Sequence, residues 1–242
     1  MGFKEVMDRA SSGDPRAQCA LGYIYFRGDG TPKDDNRAFI WFNMAAEQGD
    51  PEGECNAAYM LIHALGTNAN LDEALRFYTD SAEKGYVQSM FNLAHMYSDG
   101  LGVEQDWGRA VHWYTRASEG GSVIACHRLG VIAETGMDGS TPDPSKAAEL
   151  FRRCADNGYE PAMIRLGDMY LDGRGVQRNP DKAVKLFVKA ADAGSADAML
   201  RLGKLSLSGD GMVRSVNNAR KWLRKASARG SEEAAAILST LN

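Results

Sequence analysis

The sequence predicts an all-α solenoid of about six helix-pair repeats with half repeats at its ends, and three observations carry that expectation. A search for internal repeats finds a glycine at Gly13, Gly49, Gly85, Gly121, Gly158, Gly194 and Gly230, so the spacings are 36, 36, 36, 37, 36 and 36 residues. Within that register one column reads Leu21, Ala57, Leu93, Leu129, Leu166, Leu202 and Leu238, and the next holds small residues: Gly22, Ala58, Ala94, Gly130, Gly167, Gly203 and Ser239. The second half of each copy repeats an i, i+3, i+4, i+7, i+8 stripe, as in Ala38, Trp41, Phe42, Ala45 and Ala46. At about 100° per residue each set lies on one face of a helix. Neither helix of a copy can bury its stripe alone, which is the physical condition for stacking repeats.

Residues 1–13 align with the end of a second helix, since Ala10 falls in the Ala46 column, so the chain opens on a half repeat. Full repeats start near 14, 50, 86, 122, 159 and 195, and residues 231–242 are expected to cap the stack, giving one domain over 1–242. The first helix of a copy, helix A, begins where an acceptor side chain precedes proline, as in Asp14-Pro15 and Asp50-Pro51; the acceptor caps free amides and the proline fits the first turn. Glycine pairs such as Gly28/Gly30, Gly100/Gly102 and Gly173/Gly175 then end helix A in the left-handed conformation and reverse the chain. Copy two has Ala64 in the first of these places. The second helix, helix B, starts after Asp34, Asn70, Asp106, Asp143, Asn179 and Ser215, all of them capping residues. Copy four carries one extra residue in Gly136–Pro142, which predicts a longer loop there.

The columns Ala-x-x-x-Leu-Gly-x-x-Tyr, Gly-x-Gly, Ala-x-x-Trp-Tyr and Ala-Ala-x-x-Gly resemble the Sel-1-like repeat, a relative of the tetratricopeptide repeat. Copy three (Ser89, Leu93, Ala94, Tyr97, Gly100, Gly102, Val103) and copy five (Ala162, Leu166, Gly167, Tyr170, Gly173, Gly175, Val176) carry the resemblance most fully, and it covers nearly the whole chain. It implies a right-handed α/α superhelix acting as a non-catalytic scaffold or adaptor for another protein or a peptide. Bacterial members of the family are frequently exported.

Composition narrows the alternatives. An apolar content of 44% and a charged content of 25% are those of a folded chain. The formal net charge of −4 gives no general attraction to nucleic acid or anionic membrane. Residues 1–121 hold 10 Lys/Arg and 18 Asp/Glu, whereas residues 122–242 hold 18 and 14, so one half is acidic and the other basic. Cys19 and Cys55 occupy equivalent places in adjacent copies, roughly 8–10 Å apart in a helix stack and beyond the reach of a disulfide; with Cys126 and Cys154 they read as free thiols. No apolar run approaches the length of a membrane span. The first residues carry no hydrophobic signal core, so the chain as given reads as cytoplasmic, or as periplasmic or secreted if a leader has been removed.

Candidate function falls on helix A. Since the Leu column faces the core, positions −5, −2, +2, +5 and +6 from it point roughly the opposite way. In tetratricopeptide relatives that face lines a concave groove, and the resemblance implies the same here. The candidate groove residues are Arg16, Tyr23, Phe26, Arg27, Tyr59, His63, Phe91, His95, Asp99, His127, Glu134, Asp168, Asp172 and Lys204. Aromatics crowd the first three copies, with arginines beside them, and these are the anchor types that dominate protein interfaces. The competing reading is that some of these rings pack as core. Each of His63, His95 and His127 moves one helical turn relative to the copy before, which separates them too far to share a metal ion; no metal and no cofactor is expected.

Catalytic residues are likewise not expected. Ser81-Ala-Glu-Lys84 matches the Ser-x-x-Lys of penicillin-recognising enzymes, an activity linked with a cysteine-rich branch of the family, but the companion motifs are missing and Ser81 falls in a small core column. The Gly-x-Gly pairs follow helices rather than strands, so they are not dinucleotide loops. Nucleic-acid binding is the other alternative, as related helical repeats read RNA. The basic run Arg220, Lys221, Arg224, Lys225 and Arg229 is its main support, but a solvated outer face is the better account of that run, given the acidic total and the few Lys/Arg in the candidate groove.

Overall fold

A computed structural model of the protein describes residues 2–241. Fourteen α-helices lie among the described residues. They fall into two compact units, one ending at Ala125 and the other beginning at Cys126. The first unit contains α1 (Phe3–Ser11), α2 (Pro15–Arg27), α3 (Asp35–Glu47), α4 (Pro51–Ile62), α5 (Leu71–Glu83), α6 (Val87–Asp99) and α7 (Trp107–Glu119). The division falls within α8 (Val123–Thr135). The second unit continues with α9 (Pro144–Asp156), α10 (Glu160–Asp172), α11 (Pro180–Asp192), α12 (Ala196–Ser208), α13 (Val216–Ser227) and α14 (Glu232–Thr240). Even-numbered helices from α2 to α12 are A helices, and odd-numbered ones from α3 to α13 are B helices. In each unit an A helix packs on the B helix that follows it and on the one before, giving the solenoid-like repeat architecture expected. No helix among the described residues is long and apolar enough to cross a membrane.

The boundaries have the local causes read from the sequence. Asp14 and Asp50 accept main-chain amides at the starts of α2 and α4, each with proline in the first turn. All six predicted B-helix caps form. Asp34, Asn70, Asp106, Asp143, Asn179 and Ser215 each accept the amide three residues on, at 2.9 to 3.2 Å. The connection after α8 runs over residues 136–143, one residue longer than 28–34 after α2.

The small-residue column is explained by distance. A Cβ added to Gly22 would stand 2.6 Å from the Phe42 ring, and one added to Gly167 would stand 2.6 Å from the Phe187 ring. At these glycines the A-helix backbone therefore lies directly on a B-helix side chain, whereas copies two and three accommodate the single methyl of the buried Ala58 and Ala94. Phe42, Phe151 and Phe187 are almost fully buried in this way; each contributes about 1.5–3 kcal/mol by leaving water. The Leu column faces the same core, with Leu21, Leu93, Leu166 and Leu202 buried. Leu129 departs from it and is half-buried, the α8 core being supplied by Ala125, Cys126, Ile132 and Ala133.

Copy two shows what the glycine at the end of helix A contributes. Gly28, Gly100, Gly173 and Gly209 close α2, α6, α10 and α12 in the left-handed region. At the corresponding place Ala64 has φ 51°, and it is the only non-glycine residue with positive φ among those described. A Cβ there is disfavoured by its following carbonyl. Ala64→Gly is expected to stabilise the chain by about 0.5–1 kcal/mol, net of the extra freedom glycine gains when unfolded. A urea melt checks this: the midpoint should rise, and an unchanged or lower midpoint would show that Ala64 carries no strain.

Candidate functional site

The first unit presents an aromatic cleft on its A helices. Tyr23 and Phe26 project from α2, and Tyr59 from α4, held by the core packing of Leu21 and Ala57 on the opposite sides of those helices. Tyr23 stands edge-on to Phe42 with ring centroids 5.1 Å apart, and Phe26 edge-on to Tyr59 at 6.5 Å. Tyr59 remains 43% exposed. With Cys55, Asn56, Met60, Gln88 and Asn92 these rings enclose a cavity of about 300 Å³. Amides form part of its lining. Asn56 Nδ2 donates to the Tyr23 hydroxyl at 2.9 Å, and Gln88 Nε2 donates to Asn92 Oδ1 at 3.0 Å. Burial pushes the Tyr23 phenol up to about 12, so it stays protonated at neutral pH.

Charge edges this cleft. The Arg27 guanidinium lies 5.1 Å above the Tyr23 ring and the Lys33 ammonium 5.4 Å from the Phe26 ring. Arg16 is exposed in the first turn of α2, and His63, the C-cap residue just after α4, packs on Tyr59 at 4.4 Å. Phe91, on α6, is half-buried between His95 at 6.4 Å and Tyr114 of α7 at 5.7 Å. It is a packing residue as much as a surface one. His95 Nδ1 is 3.3 Å from Asp99.

The second unit's A helices carry a different wall, made of ion pairs. Glu134 is only 7% exposed in its side chain and lies between Arg165 at 3.1 Å and Arg174 at 2.7 Å. Arg201 holds Asp168 through Nε and Nη2 at 2.7 and 2.8 Å, Arg174 also meets Asp172 at 3.2 Å, and Lys204 meets Glu233 at 2.5 Å. The carboxylates predicted here as recognition groups are thus already engaged. A cleft of about 380 Å³ opens among His127, Pro161, Ile164, Arg165, Asp168, Asp197 and Arg201. His127 sits between the rings of Phe151 (5.4 Å) and Tyr159 (5.2 Å) with its Nε2 buried and unbonded.

Sequence reasoning missed the column one residue before the Leu column. Asn56, Asn92, Arg165 and Arg201 occupy it and meet residues of the copy before: Asn56 on Tyr23 and Arg201 on Asp168 are each separated by 33 residues. This position is only about 100° from the core direction, so a single-helix wheel places it at the edge of the face. The neighbouring A helix brings it inward. Its signal was present, since a polar residue recurs in that column from copy two to copy six.

Ser81 has no role as an exposed nucleophile. Its hydroxyl is fully buried, donating to the Pro51 carbonyl at 2.7 Å and accepting from Ser89 at 2.7 Å. Lys84 instead reaches Glu54 at 2.5 Å. The four cysteines are free and buried; burial raises the thiols of Cys19, Cys55 and Cys154, which keeps them protonated and unreactive.

Repeating helix pairs with a side-chain-lined A-helix wall define an α-helical repeat protein. The chain belongs to the Sel1 repeat family, whose repeat matches residues 15–50, 51–86, 87–122, 123–159, 160–195 and 196–231. Its structure is similar to that of a protective antigen of uropathogenic Escherichia coli with an SLR fold, at 29% identity and a TM-score of 0.90 over 98% of this chain and 50% of the antigen chain. A Sel1 repeat protein of Oxalobacter formigenes matches at 32% identity and a TM-score of 0.86, over 99% of this chain and 69% of that one. An immunity protein of Pseudomonas aeruginosa, Pa5087, shares the fold at 16% identity and a TM-score of 0.51, over 88% of this chain and 81% of its own. This chain therefore spans half the length of the antigen it matches. No curated protein matches it.

The buried imidazole gives a pH dependence with a definite sign. Burial first, then the nearby Arg165 and Arg128, pushes His127 down to about 4, below its ordinary value of 6.5. As pH falls the unfolded chain takes up this proton before the folded one. The contribution is thus complete above about pH 6.5 and is lost progressively toward pH 4. After discounting for partial exposure, about 1 kcal/mol is lost between about pH 7 and pH 5. Urea unfolding of the wild type should show that loss in excess of the loss in His127→Leu. Equal losses in the two proteins would contradict it.

Proposed function

We propose that the chain is a non-catalytic interaction protein that holds a peptide or partner protein on the A-helix wall of its first unit. The observation that supports this most is the contact of the half-buried Phe26 with the exposed Tyr59 beside a 300 Å³ cavity lined also by the amides of Asn56, Gln88 and Asn92. Such a site offers apolar area to one bulky side chain and hydrogen-bond partners to the adjoining main chain. The rings lose little entropy when covered, because packing on Phe42 and the contact with Asn56 already fix Tyr23. Arg27 and Lys33 beside the rings supply charge at the rim, where it steers encounter more than it adds affinity.

The paired carboxylates of the second unit fit this reading as structural links between copies rather than as recognition groups. Asp168 and Glu134 would have to give up arginines before meeting a ligand.

The test is affinity capture from a native lysate on immobilised wild type and on Arg27→Glu/Tyr59→Ala. Both side chains are exposed, so the circular dichroism melt should be unchanged. Any partner captured by the wild type should be reduced at least about tenfold on the variant, the loss expected when an aromatic anchor is truncated. Undiminished capture would remove this cleft as the binding site.

A further inference from the structure

The B helices of the second unit carry an excess of positive charge over negative, and no ion pair within 4 Å engages it among the described residues. Together α9, α11 and α13 hold ten Lys/Arg against four Asp/Glu, whereas α3, α5 and α7 of the first unit hold four against seven. The four arginines of the first set of B helices are all ion-paired: Arg37 with Asp34, Arg76 with Glu73, Arg109 with Asp106 and Arg116 with Glu83. Ion pairs of the second unit engage Arg165, Arg174, Arg178, Arg201 and Lys204 on other elements. None engages the ten cations of α9, α11 and α13 among the described residues.

The charges form a pattern. Arg153, Lys189 and Lys225 recur at 36-residue intervals near the ends of the three helices, and all are exposed. Lys185 and Lys221 repeat one turn earlier on two of them, with Arg152 and Arg224 alongside. The helix dipole favours cations in a last turn, which accounts for the first three. It opposes Lys146 and Lys182, which lie in first turns. Helix stability therefore does not explain the band, and clustered like charges destabilise the compact state.

We propose that this outer face of the second unit docks an acidic segment of a partner protein, separately from the aromatic cleft of the first unit. Three features favour a peptide with spaced carboxylates over other anions. Glu149, Asp181, Asp156 and Asp192 interrupt or edge the band; a continuous phosphate backbone, with a charge about every 1.7 Å in duplex DNA, would meet them. Six of the ten cations are lysines, which act as point charges rather than as the two-pronged phosphate grips of arginine. Val216 is the one exposed large apolar residue on the three helices among those described, so there is no stripe to enter a bilayer.

Fluorescence anisotropy of a labelled short oligoglutamate peptide, titrated with the full chain at low salt, tests this. The peptide should bind more tightly than an oligoglutamine of equal length and be released by salt. Lys185→Glu/Lys221→Glu/Lys225→Glu should weaken it about tenfold or more. Arg153→Gln/Lys189→Gln, a milder change on the same face, should weaken it several-fold with an unaltered melt. Binding no tighter than oligoglutamine, or undiminished in both variants, would overturn the proposal. So would tighter binding of a DNA duplex or of vesicles containing anionic lipid at the same salt, which would assign the face to another class of partner.

Discussion

Direct contact between an A-helix backbone and a B-helix side chain is the constraint on which the rest of this structure depends. Gly22 on Phe42, Gly130 on Phe151, Gly167 on Phe187 and Gly203 on Leu223 all lie so close that one added carbon would stand 2.6 Å from its neighbour. Packing at that density is intolerant of extra volume. It fixes the rotation of α2, α8, α10 and α12 about their own axes, because turning one of them would bring a real side chain against the facing side chain; α4 and α6 carry Ala58 and Ala94 at this place. What an A helix displays on its far side follows from what it buries on its near side.

That inheritance differs between the two units. In the first, α2 and α4 bring Tyr23, Phe26 and Tyr59 together around an apolar cavity. In the second, the same positions carry Glu134, Asp168 and Lys204, and each finds a counter-charge on the following helix or loop. One repeat geometry thus supports an aromatic cleft and a bonded ladder, because the +2 position of one copy faces the −1 position of the next. Tyr23 with Asn56 and Asp168 with Arg201 are the same rung in different chemistry.

The helices were legible in the sequence because their causes are local. Asp34 and its five counterparts cap as expected, and Gly28 and Gly173 close helices as expected. The side-chain partnerships were less so. Nothing local in the sequence shows that Glu134 lies between two arginines 31 and 40 residues away, or that Phe91 shares itself with Tyr114. Such contacts depend on how one copy is set against the next, which a wheel drawn for a single helix leaves out. Arg165 and Arg201 went unnoticed for that reason, although they share a column with Asn56 and Asn92.

The close approach within a copy can be tested by amide hydrogen exchange on Gly167→Ala. If the contact with Phe187 couples α10 to α11, and through them their neighbours, the added methyl should lower protection together across α9 to α12, by about 1–3 kcal/mol of opening free energy. Loss of protection confined to a few amides around residue 167, with α11 unchanged, would contradict the account.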